Sequence, residues 1–278
     1  MRTVDAELAG VPARIRVPAR VSLPPIVLWH GFGPPAGEGA LEAVLPLDDV
    51  PAVKVYLGLP MFGKRAPEDP GVLARRQQED LATGVFEPVV MGAARELPDV
   101  VRALQRHGCL EEGQGIGLFG FSAGGAAALY ALAERQVPVQ AAVVLNASTG
   151  LSASVAAYER AAGKPFAWTQ AARSLARRSD AVARAADIAR GTPPPALLIV
   201  HGADDAMVDG SGAQALRDAL APHYAEAAGA RLQLETVDDL PHAIRTPGDI
   251  ARVRTLASDW FLRFMRRSGH ALETPGEK

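Results

Sequence analysis

Four short, nearly uninterrupted apolar runs constrain this chain more than any other feature: Ile26-Val-Leu-Trp-His30, Gly115-Ile-Gly-Leu-Phe-Gly-Phe121, Val139-Gln-Ala-Ala-Val-Val-Leu145 and Ala196-Leu-Leu-Ile-Val200. Successive strand residues point to opposite faces, so a strand that is apolar throughout must be covered on both faces, as in a largely parallel sheet. Between the runs lie stretches with helical spacing. Residues 87–107 carry Val89, Val90, Ala93, Leu97, Val100, Val101 and Leu104, with Pro98 predicting a kink or break. Residues 123–135 form an alanine-rich helix, and 150–190 read as helical in two parts, 153–162 and 167–190. Residues 211–221 follow, and 247–267 place Ile250, Val253, Ala257, Trp260, Phe261 and Phe264 on one side.

Weaker strand patterns occur at 11–17, whose alternation fits a half-exposed edge strand, at 52–57 and at 231–237. Residues 58–80 read as a loop punctuated by Pro60, Gly63, Pro67, Pro70 and Gly71. The alternation of strand and helix predicts one α/β domain over residues 1–278: a mostly parallel, doubly wound sheet flanked by helices. Its site is expected beyond the carboxyl ends of the strands. Residues 271–278 read as a flexible tail.

Bulk properties exclude several alternatives. A chain of 278 residues can bury a substantial core without disulfides or metals, and its lone cysteine, Cys109, excludes an intramolecular disulfide. Cys109 reads as a half-buried structural residue rather than a nucleophile. A net charge of −2 offers no field for nucleic acid. The N-terminus has no apolar segment behind Arg2, and no run of about 18 apolar residues occurs, so neither a signal peptide nor a membrane span is expected. A cytoplasmic location is the default expectation.

The chemistry-bearing pattern is Gly120-Phe-Ser-Ala-Gly124. A G-x-S-x-G match arises by chance in roughly one chain in ten of this composition, so its setting decides its meaning. It sits directly after an apolar strand and directly before a helix, the setting of a nucleophile elbow. Glycines two residues either side of Ser122 leave room for strand and helix to approach at the corner. The serine is then expected in a strained backbone conformation with its hydroxyl clear of the sheet. The helix N-terminus behind it offers free N–H groups to a developing negative charge. An oxyanion hole needs two such donors. The amide of Ala123 supplies one, and His30-Gly31-Phe32-Gly33, after the strand at 26–30, supplies the second through the amide of Phe32.

A nucleophile elbow takes its partners in the order serine, acid, histidine. Leu197-Leu-Ile-Val-His-Gly-Ala-Asp-Asp205 is a strand followed by two adjacent carboxylates. Asp205 is preferred over Asp204, and Asp209, Asp238 and Asp239 are weaker candidates. The alternative place for the acid, after the strand at 139–145, reads Asn146-Ala-Ser-Thr and holds no carboxylate. Among the six histidines, His30 and His201 precede glycines at strand ends and read as structural. His107, His223 and His270 fall on helices or tails and read as solvated. His242, 37 residues after Asp205, remains as the base.

With these residues in view the chain resembles the α/β-hydrolase superfamily along almost its whole length. Within it, the chain is similar to the dienelactone-hydrolase-like and prolyl-oligopeptidase-like esterases. The spacing His201-Gly-x-x-Asp205-x-x-Val208 matches the superfamily's pattern around its acid and so implies Asp205. Two features depart from the pattern. Dienelactone hydrolases proper carry a cysteine nucleophile where this chain has Ser122, and Asp-x-x-G-x-G is replaced by Gly58-Leu-Pro-Met-Phe-Gly63.

The resemblance implies a Ser122–His242–Asp205 hydrolase that needs no metal or organic cofactor. A carboxylesterase acting on small-molecule esters with small to medium acyl groups is the first expectation. A peptidase, a thioesterase and a non-catalytic binding protein of the same fold are the alternatives. Residues 150–190 fall where the superfamily commonly inserts a helical lid; an ordinary crossover helix pair is the competing reading. Tyr158 and Trp168 within that segment are candidate substrate contacts, together with Phe32 and Phe121. Lys64, Arg65, Arg75 and Arg76 in the 58–80 loop either border the pocket or are simply solvated.

Overall fold

The computed structural model describes residues 1–225 and 230–266. The proposed tail at 271–278 and His270 lie outside the described residues. One eight-stranded sheet runs through the molecule in the order β1-β2-β4-β3-β5-β6-β7-β8. Its strands are β1 (Arg2–Leu8), β2 (Val11–Val17), β3 (Ile26–Trp29), β4 (Lys54–Leu57), β5 (Ile116–Phe121), β6 (Val139–Leu145), β7 (Ala196–Asp204) and β8 (Leu232–Pro241). Strands β3 to β8 are mutually parallel, whereas β2 is antiparallel to both β1 and β4.

The strands of the interior alternate their side chains between two apolar layers. Val27, Trp29, Leu118, Val144, Leu197 and Ile199 enter one. Helices α2 (Gly71–Leu81), α3 (Gly92–Arg106), α4 (Ala123–Glu134) and α8 (Gly210–Tyr224) cover it, with the insertion helices α5 (Leu151–Ala162), α6 (Gln170–Ser179) and α7 (Ala185–Ile188). Ile26, Leu28, Phe119, Phe121, Val143, Leu145, Leu198 and Val200 enter the other. There they meet Leu41 from α1 (Glu38–Val44), Leu45 just after it, and Val253, Trp260 and Phe261 of α9 (Pro247–Phe264). A period of two inside a continuous apolar run thus feeds both layers at once.

Several expectations need correction. Residues 11–17 are not the edge strand: β1 pairs along their outer side, and β2 lies between β1 and β4. Its alternation reflects a sheet margin covered unevenly, with Arg16 ion-paired to Glu42 of α1 at 2.6 Å and to Asp48 at 2.7 Å. The 58–80 loop contains α2. The chain breaks at Asp80 (φ −157°, ψ 97°), whose carboxylate accepts from the amides of Ala82 and Thr83 and so starts the next helical segment. Residues 82–91 wind as a π-helix around Pro88, and α3 then runs through Pro98 without interruption. The helical stretch 167–190 is broken at Asp180, whose side chain accepts from the amide of Ala183. Among the described residues no helix is long and apolar enough to cross a membrane.

Lys54, the first residue of β4, is fully buried, and its ammonium donates to the carbonyl of Val50 at 3.0 Å. Burial pushes its pKa down from 10.5 to about 8, against the pull of Asp48. Between those values the folded chain binds fewer protons than the unfolded chain, so stability rises with pH across that window. The full span corresponds to about 3 kcal/mol. Urea midpoints measured from pH 7.5 to 9.5 are expected to climb for the wild type. Lys54→Met, more stable at pH 7.5, is expected to show none of this climb. Parallel pH profiles for the two proteins would refute the assignment.

Candidate active site

The corner between β5 and α4 is set by backbone contact. A β-carbon on Gly120 would lie 2.2 Å from the carbonyl oxygen of Gly124, and one on Gly124 would lie 2.5 Å from those of Trp29 and His30. Neither site has room for a side chain. Ser122, between them, takes φ 54° and ψ −116°, the strained conformation foreseen for it, as the N-cap of α4. The loop after β3 lies directly against it: a β-carbon on Gly31 would sit 2.9 Å from Ser122 Cβ.

His242 follows the last residue of β8, and its Nε2 lies 3.0 Å from Ser122 Oγ. Its Nδ1 lies 2.7 Å from Asp205 Oδ2. A carboxylate can only accept, so Nδ1 carries the proton and Nε2 is left free to accept from the serine hydroxyl. The other oxygen, Oδ1, accepts from the amides of Met207 and Val208, each at 2.8 Å. The Asp205 side chain is fully buried and that of His242 nearly so. Burial works to raise the carboxyl pKa, but the hydrogen bond to His242 and the two amides outweigh it and hold the carboxyl below its ordinary value.

The rival acids stand elsewhere. Asp204, Asp238 and Asp239 are exposed, and Asp209 caps α8 through the amide of Ser211. His107 and His223 are exposed. His30 is fully buried, and its Nε2 accepts from the amide of Leu59 at 3.1 Å, so Nδ1–H donates to the carbonyl of Gly31 at 2.7 Å. Burial lowers its pKa, and the neutral ring ties the loop after β3 to the loop after β4. His201 is buried with its pKa likewise lowered by desolvation. The half-buried Cys109 thiol has its pKa raised by burial, which disfavours the thiolate.

The four candidate substrate contacts separate. Phe32 is exposed and stacks on Phe62, ring centroids 5.1 Å apart. Phe121 is fully buried, its ring 5.4 Å from that of His242, so it props the imidazole from inside the core and offers no surface to substrate. Tyr158 borders a groove of about 450 Å³ between α2 and α5, with Ala74, Gln77, Gln78 and Lys164. Trp168 packs edge-on against Phe166 at 5.2 Å. The basic residues of the 58–80 segment are largely paired: Lys64 with Asp5, Arg75 with Asp69, and Arg65 with Glu96 of α3.

Three contacts went unread in the sequence. Phe62 lies 30 residues from its partner Phe32. Arg160 of α5 donates to the carbonyl of Met207 beside the acid, at 2.9 Å. Asn146, just after β6, bonds to Gly202 near the end of β7 and to Pro241 and His242 at the end of β8.

A mostly parallel eight-stranded sheet with a strained serine at the corner after its central strand is the α/β-hydrolase fold. The chain belongs to the prolyl oligopeptidase family, whose sequence model matches residues 93–268, and this places it among the serine hydrolases. No curated protein sequence matches it. Among solved structures it is similar to TT1662 from Thermus thermophilus: 21% identity, TM-score 0.67, 94% of this chain and 98% of that one covered. It is also similar to carboxyl esterase 2 from Tuber melanosporum: 18% identity, TM-score 0.60, 95% and 85% covered. A puromycin-hydrolysing peptidase from Mycobacterium tuberculosis shares 17% identity with a TM-score of 0.66, over 95% of this chain but only 39% of that one.

The lowered pKa of Asp205 gives a test of its surroundings. The carboxylate stabilises the fold above its ordinary value of 3.8, and that contribution is lost as the pH falls through the lower folded value. Wild type is therefore expected to exceed Asp205→Asn in thermal stability at pH 6, and the gap is expected to close below about pH 4. A gap that is constant with pH would show that the ionised carboxylate contributes nothing.

Proposed function

We propose that the chain is a carboxylesterase that cleaves small to medium acyl esters through an acyl-enzyme intermediate. The observation that carries this reading is the continuous hydrogen-bonded chain from Ser122 Oγ through His242 to the buried carboxylate of Asp205. As Oγ attacks the ester carbonyl, His242 Nε2 takes its proton, and Asp205 stabilises the imidazolium that forms. The amides of Ala123, at the N-terminus of α4, and of Phe32 receive the negative charge on the tetrahedral oxygen. His242 returns the proton to the leaving alkoxide, and water repeats the sequence on the acyl-enzyme. The exposed ring of Phe32 and the exposed thioether of Met207 give an apolar rim suited to an acyl group. Residues 150–190, with Tyr158 and Trp168, act as the lid over it.

A second reading, a peptidase, is favoured by the match to the prolyl oligopeptidase family and by likeness to a protein described as a puromycin-hydrolysing peptidase. The same residues would attack an amide, with His242 protonating the leaving amine. Thioester cleavage uses the same steps.

A fluorophosphonate probe is expected to label wild type at Ser122 and to leave Ser122→Ala unlabelled. Turnover of p-nitrophenyl acetate is expected to fall at least about 10⁴-fold in that variant. A panel of p-nitrophenyl esters, acyl thioesters and aminoacyl p-nitroanilides separates the readings, and esters are expected to give the highest kcat/KM. Wild-type turnover in Ser122→Ala would exclude the serine mechanism, and an unlabelled, inactive wild type would mark a binding protein.

A further inference from the structure

Asn146 stands where some hydrolases of this fold carry their acid, yet it has no charge. It is fully buried at the end of β6, in the left-handed region with φ 47°, which non-glycine residues seldom occupy. Its main-chain N–H donates to the carbonyl of Val200 in β7 at 2.9 Å, which fixes the backbone at that turn.

The side-chain amide then divides its bonding between the ends of the two strands that lead into the proposed acid and base. Oδ1 accepts from the N–H of Gly202 at 2.8 Å. The carbonyl of Gly202 in turn accepts from the N–H of Asp205 at 3.1 Å. On the other side Nδ2 donates to the carbonyls of Pro241 at 3.1 Å and of His242 itself at 2.9 Å. Two carbonyls on one side and an N–H on the other leave a single orientation of the amide that satisfies all three bonds. No charged residue could do the same: a carboxylate has nothing to donate, and an ammonium nothing with which to accept.

We propose that Asn146 is a positioning residue for the Ser122–His242–Asp205 chain, holding the base loop and the acid loop in one register so that imidazole and carboxylate meet at hydrogen-bond distance. The inference rests on the serine-hydrolase reading of that chain. Asn146 touches neither the nucleophile nor a reacting atom. Its effect runs through the backbones of Gly202, near the end of β7, and of His242, the first residue after β8. A residue with this role affects the transition state, in which the imidazole must sit squarely between oxygen and carboxylate. It leaves untouched the surfaces that bind the acyl group.

The test uses Asn146→Ala and the near-isosteric Asn146→Asp in the full chain. Thermal melting, ester kinetics and the downfield proton resonance of the His242 Nδ1–H···Asp205 hydrogen bond are measured for each. The expected result in a cooperatively folded variant is a kcat lower by roughly 10- to 100-fold, with KM within about twofold of wild type. The downfield resonance is expected to be shifted or lost, and Asn146→Asp, which turns a carboxylate towards two carbonyls, is expected to lose at least as much as Asn146→Ala. Wild-type kcat with an unmoved resonance in either folded variant overturns the proposal. So does a loss confined to KM, or a failure of both variants to fold, which would make Asn146 a residue of the fold alone. Wild-type turnover in Ser122→Ala would instead overturn the serine mechanism and is read separately.

Discussion

Gly120 lies so close to the carbonyl of Gly124, and Gly124 so close to the carbonyls of Trp29 and His30, that neither glycine can carry a side chain, and this packing governs the rest of the site. Bringing α4 so close to β5 forces the residue between them into a left-handed conformation that serine pays for in strain. It also seats the N-terminus of α4 against the end of β3, since Gly124 packs on the carbonyls of Trp29 and His30. Hydroxyl, helix N-terminus and the loop carrying Phe32 therefore arrive together from one backbone constraint. The strain is sustained by the burial of both faces of β5, where Ile116, Leu118, Phe119 and Phe121 are sealed between the two apolar layers.

The electrostatics follow from where the strands end. Asp205 is buried, which disfavours its charge, and the structure answers with three hydrogen bonds: two from main-chain amides of its own loop and one from His242. Those bonds leave the carboxylate no freedom to rotate and leave His242 only one tautomer. Phe121 closes the imidazole from below. The ring is thus confined on the core side and free only towards Ser122.

How much of this was legible depended on whether a signal was local. The strands β3, β5, β6 and β7 were readable because continuous apolar runs have no other use in a chain of this size. Ser122 and Asp205 were readable because each sits immediately after such a strand, and His242 because chain order and the places of the other five histidines leave it as the base. Elements at the sheet margin were not. Strand β1 and helix α1 pair charged residues across the chain (Arg14 and Arg16 with Asp5, Glu42 and Asp48), so their sequences look solvated although the ion pairs are partly covered. Helix α2 hid behind prolines and glycines that punctuate the loop just before it. Pro98 looked like a break, yet the irregular winding lies around Pro88, because a π-helical segment already absorbs a missing amide there. Phe121 is expected among the substrate contacts, but its ring is sealed in the apolar layer beside His242. Contacts between distant segments, such as Phe32 on Phe62 or Arg160 on Met207, leave no local mark at all.

In the proposed mechanism bond specificity and catalytic chemistry rest on different parts of this fold. The hydroxyl, imidazole and carboxylate stand at the ends of β5, β8 and β7, and the sheet and the amide of Asn146 hold those ends in register. Side chains that reach outward from the same loops are under no such constraint: Phe32 and Met207 are exposed, and Tyr158 lines an open groove between α2 and α5. On the proposed reading, substitution of those outward residues alters which acyl or leaving group fits without moving the bonded chain behind them. An ester, a thioester and an amide ask the same proton transfers of Ser122 and His242. In the proposed mechanism what distinguishes them is the fit of the group beside the carbonyl, a role that the proposal gives to the 58–80 and 150–190 segments, the two stretches where this chain departs most from regular strand-helix alternation.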